Sequence, residues 1–124
     1  MTREVSFGRF FKKIREKRGI SLRKFCNENG LDPGNISKLE RGILQPPQSR
    51  EKLEEYARYL QIPKGRDEWY EFFDLASAEA GRVPPDIMKD AELVKRLPLF
   101  FRTIRGQKVP KEELKELAEI IRRA

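Results

Sequence analysis

Residues 21–42 read SLRKFCNENGLDPGNISKLERG, and this stretch predicts two short helices joined by a tight turn. Ser21 has the side chain of an N-cap, and Gly30 is the residue type that ends a helix in a left-handed conformation. Asp32 is a second N-cap candidate, followed by Pro33 at the first helical position, where its missing N–H costs nothing. We therefore predict helices at 22–29 and 33–41.

The positive charge of the chain is concentrated in the half that contains these helices. Residues 1–50 contain 12 Lys and Arg against 5 Asp and Glu, whereas residues 51–124 contain 15 of each kind. Because phosphates attract local positive potential, this asymmetry indicates a nucleic acid or an anionic membrane surface as partner. The alternative is a basic face that only keeps the protein dissolved.

The composition excludes most familiar catalytic and metal chemistry. The 124 residues include no His and 1 Cys, so a Cys/His zinc site, a Ser-His-Asp group and an intramolecular disulfide cannot form. Adjacent carboxylates such as Glu54-Glu55 are typical of solvated charge rather than of a catalytic pair. We therefore predict that the protein is not an enzyme and binds no metal or cofactor. The single Cys26 fits a reducing compartment and no run is long enough for a membrane span, so we expect a cytoplasmic protein without a membrane partner.

The whole chain has a helical pattern. Apolar residues recur at spacings of three and four, and no run alternates as a half-buried strand does, so the predicted fold class is all-α. Beyond the two short helices we predict a first helix at 5–18, helices around Leu53 and Trp69, one interrupted or kinked near Pro98, and a last one from about Pro110. Five aromatic residues are assigned to core packing against the first domain: Trp69, Phe72, Phe73, Phe100 and Phe101.

The two short helices have the size and spacing of a helix-turn-helix, in which the second helix enters the major groove of DNA. In helix 33–41, Ile36 and Leu39 form the predicted buried face, joined by Leu31 and Ile43. None of the outward residues is acidic, whereas an ordinary solvated face mixes both signs. Short polar groups suit base edges and the cations beyond them suit phosphates. The outward residues are Gly34, Asn35, Ser37, Lys38 and Arg41.

Arg23 and Lys24 occupy the first turn of helix 22–29, where the helix dipole favours acidic residues by about 0.3–1 kcal/mol each. A DNA phosphate beside the amide donors of this helix start would explain both cations. The alternative is that solvent and salt screen the mismatch at little cost. We treat both residues as candidate phosphate contacts.

The glycine, serine and core positions of this region resemble the Xre/Cro helix-turn-helix family, which includes the small phage repressors. The resemblance extends through residues 7–62. It implies a five-helix, lambda-repressor-like DNA-binding domain in which helix 33–41 is the recognition helix, followed here by a helical C-terminal extension. The matching segments are IREKRGIS at 14–21, FC at 25–26, GL at 30–31 and ISKLERG at 36–42.

The resemblance also implies roles for individual residues. The residues that it assigns to base edges and the groove are Gly34, Asn35, Ser37 and Lys38. Those that it assigns to backbone phosphates are Arg41 and Gln45. Arg15 and Glu40 would form a structural salt bridge between the first and third helices, which is costly to break from one side.

Two positions depart from the family pattern. Leu22 stands where the family commonly has a glutamine that touches DNA, so Arg23 is expected to take over the anchoring. Pro33-Gly34 replaces a bulkier polar pair, so fewer side chains reach base edges. Asn35 then becomes the main candidate for reading sequence, because its amide can pair with N6 and N7 of adenine. The alternative is that Asn35 caps or hydrogen-bonds locally.

We divide the chain into a helix-turn-helix DNA-binding domain at 1–65 and a helical extension at 66–124. Such proteins gain affinity by pairing half-sites about 34 Å apart, so the extension is expected to form a homodimer. The leading prediction is a repressor that binds a palindromic operator in double-stranded DNA. The alternatives are an antitoxin-type regulator whose C-terminal half binds a toxin, and an interaction adaptor that does not bind DNA. The candidate dimer surface consists of Leu114, Leu117, Ile120 and Ile121.

Overall fold

The computed structural model describes residues 6–106 and 108–123, and every regular element among them is an α-helix. The predicted all-α fold is confirmed. The chain divides into two compact units, Met1–Arg82 and Val83–Ala124. The helices of the first unit are α1 (Phe7–Lys17), α2 (Leu22–Asn29), α3 (Pro33–Glu40), α4 (Arg50–Tyr59) and α5 (Asp67–Glu79). Those of the second unit are α6 (Pro85–Met88), α7 (Ala91–Ile104) and α8 (Lys111–Arg123).

Short polar side chains begin the first three helices. The Ser6 hydroxyl accepts a hydrogen bond from the Arg9 amide at 3.3 Å, and the Ser21 hydroxyl accepts one from the Lys24 amide at 3.2 Å. Each side chain satisfies a backbone donor that the helix itself leaves unpaired. α2 has its predicted bounds and α3 ends one residue before its predicted end, while residue 5 of the predicted first helix lies outside the described residues.

α1 supplies the centre of the first unit's core. The rings of Phe7 and Phe72 have centroids 4.9 Å apart, and the ring of Phe11 lies 5.7 Å from Phe25 and 5.8 Å from Tyr56. α1 thus contacts α2, α4 and α5 through aromatic side chains. Buried aromatic residues of this size dominate the energetics of a small core.

Gly8 allows α1 to approach the C-terminal end of α3 closely. A Cβ atom at Gly8 would lie 2.3 Å from the Leu39 carbonyl oxygen and 2.8 Å from the Glu40 carbonyl oxygen. Because both atoms belong to the backbone, neither can move aside by rotating a side chain. The orientation of α3 relative to α1 therefore depends on the absence of a side chain at this position.

α5 belongs to the core of the first unit. Trp69, Phe72 and Phe73 of α5 are buried in the same cluster as Phe7 and Phe11 of α1, which confirms their assignment to the core. The sequence places the boundary between domains at 65, before α5, whereas the compact first unit continues to Arg82. The division at 65 stays a prediction of where the DNA-binding part of the chain ends.

Ile43 does not join the core, and its predicted place on the buried face of the third helix is wrong. Its side chain is 61% exposed. Gly42 adopts a left-handed φ of 79°, and the Ile43 amide then donates to the Lys38 carbonyl at 2.8 Å. This arrangement ends the helix and reverses the chain, so Ile43 points away from the core.

The second unit corrects two further predictions. α7 continues through Pro98, so of the two outcomes predicted there the interruption does not occur, and a kink stays a prediction. The N-cap Asp90 accepts a hydrogen bond from the Leu93 amide at 3.1 Å, and α7 packs against α8. These contacts offset the single hydrogen bond that a proline removes. The sequence predicts Phe100 and Phe101 in the core, whereas they are 39% and 41% exposed. Leu99 is the α7 side chain that is buried.

Within the described ranges, no helix combines the length and apolar character needed to cross a membrane.

Candidate nucleic-acid interface

The outward face of α3 carries the residues that the sequence assigned to DNA. Gly34, Asn35 and Lys38 are exposed, and Ser37 is half-buried. On the opposite side of the helix Ile36 and Leu39 are buried in the core, as predicted. Packing of these two residues holds the helix in place, so its polar face is turned to solvent on a rigid support.

The start of α3 is capped by Asp32 rather than by Asn35. The Asp32 carboxylate accepts a hydrogen bond from the Asn35 amide at 2.9 Å. Within the part of the chain that the structure describes, the Asn35 side chain makes no hydrogen bond of its own. Its carboxamide is therefore available to an external partner, and the capping alternative for this residue loses its main support.

The C-terminal end of α3 positions a cation. The Arg41 Nε donates to the Ser37 carbonyl oxygen and to the Ser37 hydroxyl, both at 3.3 Å. Arg41 remains exposed, and Gln45 is exposed in the loop that follows. Since Ser37 binds Arg41, its hydroxyl serves first to orient that guanidinium. The structure places both predicted phosphate contacts at the surface beyond the end of α3.

The start of α2 forms the other side of the helix-turn-helix. Arg23 and Lys24 are exposed in its first turn, which contains no acidic residue. Leu22 is half-buried and packs against the core. Its side chain therefore stabilises the fold, at the position where the Xre/Cro pattern commonly has a glutamine. Gly30 ends α2 with a left-handed φ of 65°, and the Leu31 amide donates to the Cys26 carbonyl at 2.9 Å. This turn sets the angle at which α3 follows α2.

A buried ion pair connects α1 to the end of α3. The Arg15 Nε lies 2.8 Å from the Glu40 Oε2, and the Arg15 Nη2 donates to the Glu40 Oε1 at 2.9 Å. The Arg15 Nη1 also donates to the Ile20 carbonyl at 2.8 Å. The hydrogen bond to Glu40 raises the pKa of Arg15 above its usual value, so the guanidinium stays charged. It therefore joins α1, the loop before α2 and α3 at one point, as the resemblance implied.

The thiol of Cys26 lies within the core of this unit. Burial raises the pKa of Cys26, and burial also raises the pKa of the Tyr56 phenol. Both side chains are buried in the core, whereas Asn35 is exposed at the surface. Cys26 acts as a small apolar residue that packs α2 onto the core.

An opening beside α3 includes residues that the sequence did not single out. It is lined by Arg9, Lys12 and Lys13 of α1, by Ser37 of α3 and by Arg41 directly after α3, and we call it the α1–α3 opening. The signal in the sequence was a run of cations at spacings of three and four in α1. The apolar stripe of α1 predicts its buried face and gives no information on which element lies beside these cations.

The candidate dimer residues of α8 have different environments. Leu117 and Ile120 are buried, and Leu114 is half-buried. Ile121 is 52% exposed. Two of the four side chains are therefore buried within the chain, and Ile121 is the most exposed of the four candidates.

A protein-family model described as a helix-turn-helix domain matches residues 8–75, which is more than half of the chain. The matched segment runs from the first turn of α1 into α5 and contains all the candidate residues on α2 and α3. No curated protein and no solved structure matches the chain.

Proposed function

We infer the function of this chain from one premise: it belongs to the helix-turn-helix domain family. On that basis it is a DNA-binding regulator, in which α3 enters the major groove and the start of α2 lies against the backbone. The observation that carries the assignment is the exposed face of α3, whose side chains are polar or cationic on a buried support. We further propose the Xre/Cro subfamily and the role of a repressor, on the residue pattern described above.

The exposed residues of α2, of α3 and of the segment after α3 contact different parts of the DNA in this proposal. Asn35 and Lys38 contact base edges, with Gly34 permitting close approach of the helix to the groove floor. Arg41 and Gln45 bind phosphates on one side of the groove, and Arg23 and Lys24 bind phosphates beside the first amides of α2. Backbone contacts hold the register, and the carboxamide of Asn35 supplies the discrimination between bases.

Selection from a pool of random duplexes tests this function. The protein should enrich one sequence class, and fluorescence anisotropy at about 50 and 200 mM salt should show a preference over a scrambled duplex that persists at the higher salt. Equal binding to selected and scrambled duplexes, abolished by salt, would contradict sequence-specific regulation. A duplex from the region upstream of the gene then tests autoregulation.

Replacing Asn35 by alanine should reduce discrimination at one base position by about 1–3 kcal/mol, because a bidentate pair with that base is lost. Competition binding against duplexes changed one position at a time measures this effect. Asn27→Ala removes the same kind of side chain from an exposed site further along α2 and should leave discrimination unchanged. An equal loss of affinity on every duplex would show that Asn35 does not read sequence.

The second unit is proposed to form a homodimer that binds two half-sites of a palindromic operator. Its exposed apolar side chains support this role, since such residues mark interaction surfaces when they cluster. An antitoxin-type regulator would use the same side chains to hold a different protein. The large exposed apolar residues on α7 and α8 are Phe100, Phe101, Ile104 and Ile121.

A charge at Ile121 should convert the dimer to a monomer. We expect Ile121→Lys to lower the mass measured by sedimentation velocity from that of two chains to that of one, because an ammonium group would be desolvated in the interface. Glu119→Lys places the same charge about 200° around α8 and should leave the dimer intact. A monomeric parent protein would contradict the proposal, and so would a dimer that tolerates Ile121→Lys.

A further inference from the structure

The α1–α3 opening is rich in positive charge that the protein does not neutralise. Among its lining residues Arg15 and Glu40 neutralise each other, and Glu16 is the one other carboxylate. Arg9, Lys12, Lys13 and Arg41 form no ion pair within the described residues. By contrast, Lys17 at the far end of α1 lies 3.0 Å from the carboxylate of Glu68.

The three cations of α1 share one helical face. Lys12 and Lys13 follow Arg9 by three and four residues, a spacing that places them together on the surface of a helix. Like charges at this spacing destabilise a helix, and Arg9 also stands in a first turn that contains no acidic residue. Among the lining residues of α1, Glu16 lies four residues after Lys12 and offsets part of this repulsion, and an external anion would reduce it further.

The same opening is shared with the recognition helix. Arg41, which Ser37 orients through two hydrogen bonds at 3.3 Å, lines it from the side of α3. Gly8 and the Arg15–Glu40 pair hold α1 against the C-terminal end of α3, which brings the helix that carries the first three cations beside Arg41. An anion that contacts Arg41 is therefore adjacent to the cations of α1.

We propose that the cationic face of α1, formed by Arg9, Lys12 and Lys13, binds the phosphate backbone of the DNA next to the segment that α3 reads. This inference rests on the proposed function. The rise of 1.5 Å per residue separates Arg9 and Lys13 by about 6 Å along the helix, and one DNA strand carries a phosphate about every 3.4 Å of its axis. The face is long enough to follow a strand and contact more than one phosphate.

This contact extends the footprint of the protein without adding sequence information. Backbone phosphates position a protein on the duplex, whereas base edges specify the site. The cations of α1 should therefore contribute to affinity and to its salt dependence, and they should leave the preference among sequences unchanged.

The double variant Lys12→Gln/Lys13→Gln tests the proposal on the full chain. We expect the plot of log affinity against log salt to become shallower by about two units on the selected duplex, with the ratio of selected to scrambled binding retained. Arg58→Gln/Lys64→Gln is the matched control, because it removes two exposed charges from elsewhere on the first unit and should keep the parent slope. Lys12→Arg/Lys13→Arg should also keep it. Thermal unfolding followed by circular dichroism confirms that each variant is folded.

The outcomes separate this inference from the proposed function. If the parent prefers its selected duplex and the double glutamine variant keeps the parent slope, the contact by α1 is overturned and the regulator remains. If the variant loses its preference among sequences, α1 reads bases and the backbone assignment is overturned. If the parent itself shows no preference for any duplex, the proposed function and the inference both fail.

Discussion

Replacing Arg15 by alanine should lower the free energy of unfolding by about 3–5 kcal/mol. The variant leaves the Glu40 carboxylate buried without the two hydrogen bonds that it now accepts, at 2.8 and 2.9 Å. It also removes the donor that satisfies the Ile20 carbonyl. The loss exceeds the contribution of the pair itself because an uncompensated buried charge is the larger cost. Equilibrium denaturation in urea measures it.

Two further variants show whether burial of the ion pair causes the large loss of stability expected of Arg15→Ala. Lys17→Ala breaks the ion pair between Lys17 and Glu68, in which the Lys17 side chain is 59% exposed. This change should lower the free energy of unfolding by no more than about 1 kcal/mol. Arg15→Met/Glu40→Leu removes both buried charges together and should recover most of the lost stability. If Arg15→Ala costs no more than Lys17→Ala, the buried pair does not hold α1 and α3 together.

Replacing Phe72 by alanine should lower the free energy of unfolding of the protein by about 3–5 kcal/mol. Phe72 is fully buried, and its ring lies 4.9 Å from the ring of Phe7 and 5.7 Å from that of Phe73. The substitution leaves a cavity between α1 and α5 that these backbones cannot close. The same urea denaturation experiment, with binding to the selected duplex as a second readout, measures the effect.

The neighbouring residue provides the control for Phe72. Glu71 is exposed on α5, so Glu71→Ala should change stability by no more than about 0.5 kcal/mol. If Phe72→Ala has an effect as small as this, α5 is dispensable to the first unit. A large loss of stability that also weakens DNA binding would support extending the DNA-binding domain beyond residue 65.

Local chemistry made the helix-turn-helix predictable. Ser21 and Asp32 accept amide hydrogen bonds as N-caps, and Gly30 takes up the left-handed conformation expected of it. These effects act within about four residues of the chain, so they are visible in the order of amino acids alone. The same reasoning failed at Ile43, because it extended the helical period past Gly42, where the chain reverses.

The candidate interface was predictable only in part. The exposed positions of Asn35, Lys38 and Arg41 follow from the period of α3, since Ile36 and Leu39 must face the core. The cations of α1 were not found in the same way. Their relevance comes from the crossing of α1 over the end of α3, which no local pattern describes.

The sequence by itself determined that this protein is helical, where α2 begins and ends, where α3 begins, and which face of α3 is polar, because capping and helical periodicity depend on near neighbours in the chain. The tertiary structure alone decided that the first compact unit continues to Arg82, that Gly8 allows α1 and α3 to touch, and that Arg9, Lys12 and Lys13 line one opening with Arg41. Those features depend on contacts between residues distant in sequence, such as Phe7 and Phe72. Packing selects such contacts through shape and volume, which local propensity does not encode.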